Sequence, residues 1–126
     1  MSKKDIQISK PNADEYPAYA AMYIKWLPDD GRILQHMRDQ VAKTGQLVSG
    51  IPDEKWNYVY APGKWTIKEV LVHIIDDERI YAYRALRFGR KGTANNNVSS
   101  VRGLLYHLAG HELHHLEIIK EKYLSV

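Results

Sequence analysis

The sequence predicts an all-α protein, because three long stretches repeat apolar residues at intervals of three and four, the period of an amphipathic helix. They cover residues 31–49, 66–88 and 100–123. Breaks rich in Gly, Pro or Asn separate them, after residue 49 and again at residues 89–97, which we expect to form a loop. A chain of 126 residues suffices for one domain with its own core. We therefore predict a single helical domain spanning residues 1–126.

Each predicted element has its own start or stop signal. Residues 1–30 form an N-terminal arm and a short helix, which begins near residue 14 with Asp14 as its cap. The first long helix ends at Gly50. Thr66-Ile67-Lys68-Glu69 matches a capping box and begins the second long helix, and Ser99 or Ser100 can cap the last. Glu78 falls within the apolar face of the second helix, where its carboxylate would need a charged partner.

Composition narrows the function classes. The formal charge of +3 comes from basic residues interspersed with acids, so we expect no nucleic-acid partner. No apolar stretch is long enough to span a membrane, and no signal-type segment follows the N-terminus. We therefore expect a soluble, cytoplasmic protein. There is no cysteine, so a metal site would have to use His, Asp or Glu.

Histidines on two predicted helices form the main chemical pattern. His111 and His115 lie one turn apart on one face of the last helix, about 6 Å apart at Cβ. His73 lies at the edge of the apolar stripe of the second helix, so the three imidazoles can converge if the two helices are neighbours. Three histidines are the ligand set of a catalytic zinc site, with a fourth position for water or substrate. Asp77, one turn from His73, could orient an imidazole or serve as a further ligand.

Several alternatives accompany this interpretation. His111-Glu112-Leu113-His114-His115 also fits the H-E-x-x-H pattern of zinc peptidases, in which the glutamate activates water, although no later histidine supplies a third ligand. Glu112 could act as a general base or simply be solvated or salt-bridged. The remaining histidines, His36, His107 and His114, are weaker ligand candidates, the last two because they lie further from the stripe. A non-enzymatic helical interaction module with structural histidines is the competing class.

Two groups of motifs resemble the DinB-like (DinB/YfiT) superfamily. Residues 62–70 (PGKWTIKEV), His73, residues 77–79 and residues 83–88 resemble its second helix, and residues 92–95 and 109–116 (AGHELHHL) resemble its last helix and the approach to it. The resemblance implies an up-down four-helix bundle holding a divalent metal on His73, His111 and His115. Zinc or nickel is expected, with iron, cobalt or manganese as alternatives. It further implies a metal-dependent hydrolase, or a transferase that uses a low-molecular-weight thiol, acting on a small molecule.

The chain departs from this family at one place. The family has a long third helix between the two groups of motifs, and here the two groups almost adjoin, near residues 88–92. Either the third long helix is absent from this chain or residues are missing from the sequence around 89–92. Loss of the helix would leave an apolar groove open to water, and large exposed apolar surfaces usually become interfaces. We therefore expect a partner chain to cover the groove, forming a homodimer.

Overall fold

The computed structural model describes residues 6–91 and 100–125. Within these residues the chain is helical, with no β-strand beyond one isolated bridge between Ile8 and Arg32. In order along the chain the structure contains 3-10 turns at Ala13–Glu15 and Ala18–Ala20, helix α1 (Ala21–Ile24), helix α2 (Ile33–Ser49), a 3-10 turn at Asp53–Lys55, helix α3 (Ile67–Lys91), and helix α4 (Val101–Ile118), which continues as a π-helical segment, Ile119–Leu124. The predicted all-α class, with three long helices, is confirmed.

Helix α4 lies at the centre of the fold. It packs against α1, α2 and α3, and nearly every residue from Gly103 to His111 is buried. Close approach of the N-terminal segment requires glycine at two positions of this helix. A Cβ at Gly110 would lie 1.9 Å from the backbone oxygen of Tyr23, and one at Gly103 would lie 2.6 Å from the backbone oxygen of Glu15. The main histidine-bearing helix is therefore held by direct backbone packing against α1 and the first 3-10 turn.

Two apolar clusters flank α4. One joins the start of α3 to the end of α4 and contains Ile51, Ile67, Val70, Ile74, Leu116, Ile119 and Tyr123. The other joins α1 and the start of α2 to the middle of α4 and contains Ala20, Ile24, Leu27, Ile33, Tyr106 and Ala109. Because the start of α3 and the end of α4 share the first cluster, side chains that follow Val70 on α3 face side chains that precede Leu116 on α4.

The observed helix ends show which local sequence signals correctly predicted where a helix begins or ends. The capping box is formed: the Thr66 amide donates to Glu69 Oε1 and the Glu69 amide to Thr66 Oγ1, both at 3.2 Å. Ser100 caps α4 by accepting from the Gly103 amide at 3.0 Å. Ser99, the alternative cap, lies outside the described residues. Helix α3 continues to Lys91, so residues 89–91 are helical and not part of the expected loop, and the rest of that loop is also outside the described residues.

The continuous N-terminal helix predicted from residue 14 is wrong. This region is divided into two 3-10 turns and the four-residue α1. Asp14 lies inside the first turn and does not cap it; the Asn12 amide instead donates to Glu15 Oε2 at 2.7 Å. Pro17 has extended backbone, with φ −62° and ψ 145°, and this interrupts the helical path. Aromatic spacing alone could not reveal that break.

Glu78 is exposed, which corrects its assignment to a buried face. The buried side of α3 is centred on Ile67, Val70 and Ile74, which face α4. The adjoining side of the helix faces outward, so the carboxylate needs no buried partner. No helix in the described part of the chain is long and apolar enough to cross a membrane.

Candidate metal centre

Three imidazoles from α3 and α4 converge at one point. The Nε2 atom of His111 lies 3.2 Å from Nε2 of His73 and 3.0 Å from Nε2 of His115. One ligand atom from each residue lies within 4.8 Å of those of the other two. His111 is buried, and His73 and His115 are half-buried. The shared core between α3 and α4 thus places the three predicted ligands together.

The separations of these nitrogens fit a single divalent ion. Two imidazole nitrogens bound tetrahedrally at about 2.0–2.1 Å from zinc are about 3.3–3.4 Å apart, close to both observed distances. Burial lowers the pKa of His115 to about 4 and also lowers the pKa of His111. These two imidazoles are therefore neutral at pH 7 and have a lone pair available for a metal. The three nitrogens and their geometry can therefore bind a metal ion, but they do not identify the element.

Asp77 connects the two helices beside this cluster. Its Oδ2 atom lies 3.2 Å from Nδ1 of His111 and 3.4 Å from Nε2 of His73. A carboxylate that accepts the Nδ1 proton of His111 leaves Nε2 of that ring unprotonated. Asp77 is thus positioned to select the tautomer of His111 that can coordinate an ion through Nε2.

Aromatic rings and a surface cavity surround the cluster. The ring of Trp65 lies 5.0 Å from that of His73, and the ring of Tyr23 meets His111 edge-on, also at 5.0 Å. A cavity of about 390 Å³ opens beside His73, lined by Trp65, Lys68, Glu69, Val72, His73 and Asp76. Solvent and small molecules can therefore approach His73 from outside. Sequence periodicity gave no role to Trp65, although it directly precedes the capping box.

The family assignment agrees with this geometry. A family model described as the DinB superfamily matches residues 35–97, half of the chain. The chain belongs to the DinB superfamily. The matched segment includes His73 and Asp77, whereas His111 and His115 lie beyond it on α4. No curated protein and no solved structure matches the chain. In this DinB protein, the packing of α3 against α4 links His73 to the α4 histidines.

Glu112 faces a different neighbour from the imidazoles of this DinB protein. Its Oε1 atom accepts a hydrogen bond from Thr44 of α2 at 3.1 Å, and Gln40 of α2 also hydrogen-bonds to it. Burial raises the pKa of the carboxyl group, partly offset by these two hydrogen bonds. Sequence analysis could not anticipate these partners, because both lie about 70 positions away in the chain.

The remaining histidines of the DinB chain have other contacts. His107 is buried at 4% exposure, contrary to its expected position away from the buried stripe, because α1 covers that side of α4. Its ring stacks on Tyr23, and its Nε2 lies 3.1 Å from the hydroxyl of Tyr81. Burial raises the pKa of Tyr81 to about 12, so the hydroxyl stays protonated and can donate to His107. His114 packs edge-on to Tyr23, and His36 pairs with Asp30 at 2.8 Å.

Proposed function

We propose that this DinB protein is a metal-dependent hydrolase or thiol-dependent transferase acting on a small molecule. The observation that carries the proposal is the convergence of the Nε2 atoms of His73, His111 and His115 from two helices. A packing role alone would not require three imidazole nitrogens to point at one another, since neutral nitrogens with facing lone pairs repel unless a proton or a cation lies between them. Zinc or nickel is the proposed ion, because imidazole suits both. We also propose a cytoplasmic location, which the cysteine-free composition suits.

The three histidines would hold the ion through Nε2. When bound, a divalent ion would supply Lewis acidity to a substrate group at an open coordination position. Asp77 would keep His111 in the required tautomer by accepting its Nδ1 proton. As the carboxylate nearest the cluster, it would also accept a proton from a nucleophile approaching along the cavity beside His73.

Glu112 has less support as the group that moves this proton. Its hydrogen bond to Thr44 directs the carboxylate toward α2, whereas the imidazoles meet on the side of α4 that faces α3. In a zinc peptidase the glutamate of H-E-x-x-H must reach the reacting water. We therefore favour a hydrolase or transferase that uses Asp77 over a peptidase that uses Glu112.

The test compares activity with metal content. Chelator-stripped protein would be reloaded separately with zinc, nickel, cobalt, manganese or ferrous iron. Each form would be assayed with chromogenic esters and amides for hydrolysis, and with an electrophile plus a small thiol for transfer. We expect one reloaded form to be active, and His73→Ala to lose both metal and activity. The control variant His36→Ala removes a histidine of α2 that pairs with Asp30, and it should retain both metal and activity.

Two outcomes contradict the proposal. Activity that survives complete metal removal would show that the chemistry does not use this site. Stoichiometric metal binding without turnover in either assay would favour the competing class, a helical interaction module with a structural or incidental metal.

A further inference from the structure

A row of apolar side chains on α3 is open to water. Val72, Ile75, Tyr83 and Leu86 are 55%, 50%, 59% and 52% exposed. Together with Arg79 in the middle, they recur at intervals of three or four along one side of the helix. This is the spacing of a seam at which two helices pair. We call these five residues the α3 row.

The charges along the α3 row differ between its two ends, with one exception, Lys68, which lies one turn before Val72 on the same side of the helix. The acidic residues on its border, Glu69 and Asp76, lie in the N-terminal half of the helix. The arginines, Arg79 within the row and Arg87 on the same border, lie toward the C-terminal half. An antiparallel copy of the same helix would place acidic residues beside arginines, whereas a parallel copy would place like charges together. Opposite charges across a helix pair favour one orientation over the other.

We propose that a second copy of this chain packs on the α3 row, antiparallel, with the two-fold axis near Arg79. In this register Val72 lies opposite Leu86 of the second copy, and Ile75 lies opposite Tyr83. Each contact then occurs twice, as a two-fold interface requires. Asp76 of each copy lies within one helical turn of Arg79 of the other, because three residues rise about 4.5 Å along a helix. Those acids offset the repulsion between the two Arg79 side chains at the axis.

The dimer would also complete the candidate site. Glu69, Val72 and Asp76 line the cavity beside His73, and they also lie on or beside the α3 row. Leu86 and Arg87 of the second copy would therefore close the outer side of that cavity. This consequence for the substrate rests on the proposed function, whereas the interface itself does not depend on metal binding.

The first test measures the mass of the protein in solution by sedimentation equilibrium, with and without added zinc. We expect the native chain to have twice the mass of one chain in both conditions. Ile75→Glu should reduce the mass to that of one chain while the far-ultraviolet circular dichroism stays helical. Val41→Glu is the matched control, since Val41 is 73% exposed on α2, and it should remain dimeric. A native chain that is monomeric at all concentrations would overturn the proposal.

The second test determines the orientation. Because the chain has no cysteine, single cysteines can be introduced without background. We expect Arg79→Cys to form a disulfide with itself, and Val72→Cys to form one with Leu86→Cys when the two proteins are mixed. Neither Val72→Cys nor Leu86→Cys alone should crosslink. Crosslinking of Val72→Cys with itself in preference to Leu86→Cys would indicate a parallel pair and refute the proposed register, whatever the metal content.

Discussion

The packing of α4 against α1 makes a quantitative prediction at Gly110. A methyl group added there would lie 1.9 Å from the carbonyl oxygen of Tyr23, so the two backbones must separate by more than an ångström. Forcing extra atoms into a packed core costs about 1–3 kcal/mol, and the upper end applies because the obstacle is backbone. Alanine regains about 1 kcal/mol of helix propensity relative to glycine. We therefore expect Gly110→Ala to lower the free energy of unfolding by about 2 kcal/mol.

The matched control is Gly45→Ala on α2. No atom lies within 4 Å of a Cβ built at Gly45, so only the propensity effect remains, and the free energy of unfolding should rise by about 1 kcal/mol. Both variants would be measured by urea denaturation in chelator, followed by circular dichroism. If Gly110→Ala were as stable as Gly45→Ala, the close contact between α4 and α1 would be refuted.

Two further predictions concern stability. The first is for metal-free protein, in which burial lowers the pKa of His107 to about 4. Between pH 6.5 and 4 the unfolded chain therefore binds more protons than the folded one. The free energy of unfolding should decrease as the pH is lowered through this range, by at most about 3 kcal/mol from this residue. Urea denaturation at several pH values checks this; His107→Phe should reduce the slope without abolishing it, because burial also lowers the pKa of His111 and of His115, and stability independent of pH in this window would contradict the prediction. The second prediction is that Thr66→Ala, which removes the Thr66 side chain from the capping box, lowers the free energy of unfolding by about 1 kcal/mol in the same assay. The control Ser49→Ala, at the exposed end of α2, should change the free energy of unfolding by less than about 0.5 kcal/mol. Equal effects of the two substitutions would refute the cap.

Local sequence signals predicted the long helices and their best-defined starts. The capping box at Thr66 and the cap at Ser100 satisfy backbone amides within three residues, so they need no knowledge of the rest of the fold. The spacing of His111 and His115 likewise follows from helical geometry. Adding His73 required one tertiary assumption, that α3 and α4 are neighbours, and the structure places them so.

Other features depend on which elements pack together. His107 is buried because α1 covers its side of α4, and Glu78 is exposed because its side of α3 faces outward. The contact of Glu112 with Thr44 requires α2 to pass beside α4. Apolar periodicity identifies a face that can be buried, but it does not identify the element that buries it.

The most direct test of the three-histidine centre is X-ray absorption at the zinc edge of protein loaded with one equivalent of zinc. We predict three imidazole nitrogens at about 2.0–2.1 Å from the ion, falling to two in His115→Ala. A spectrum showing no more than one imidazole, or one that His115→Ala leaves unchanged, would contradict the site.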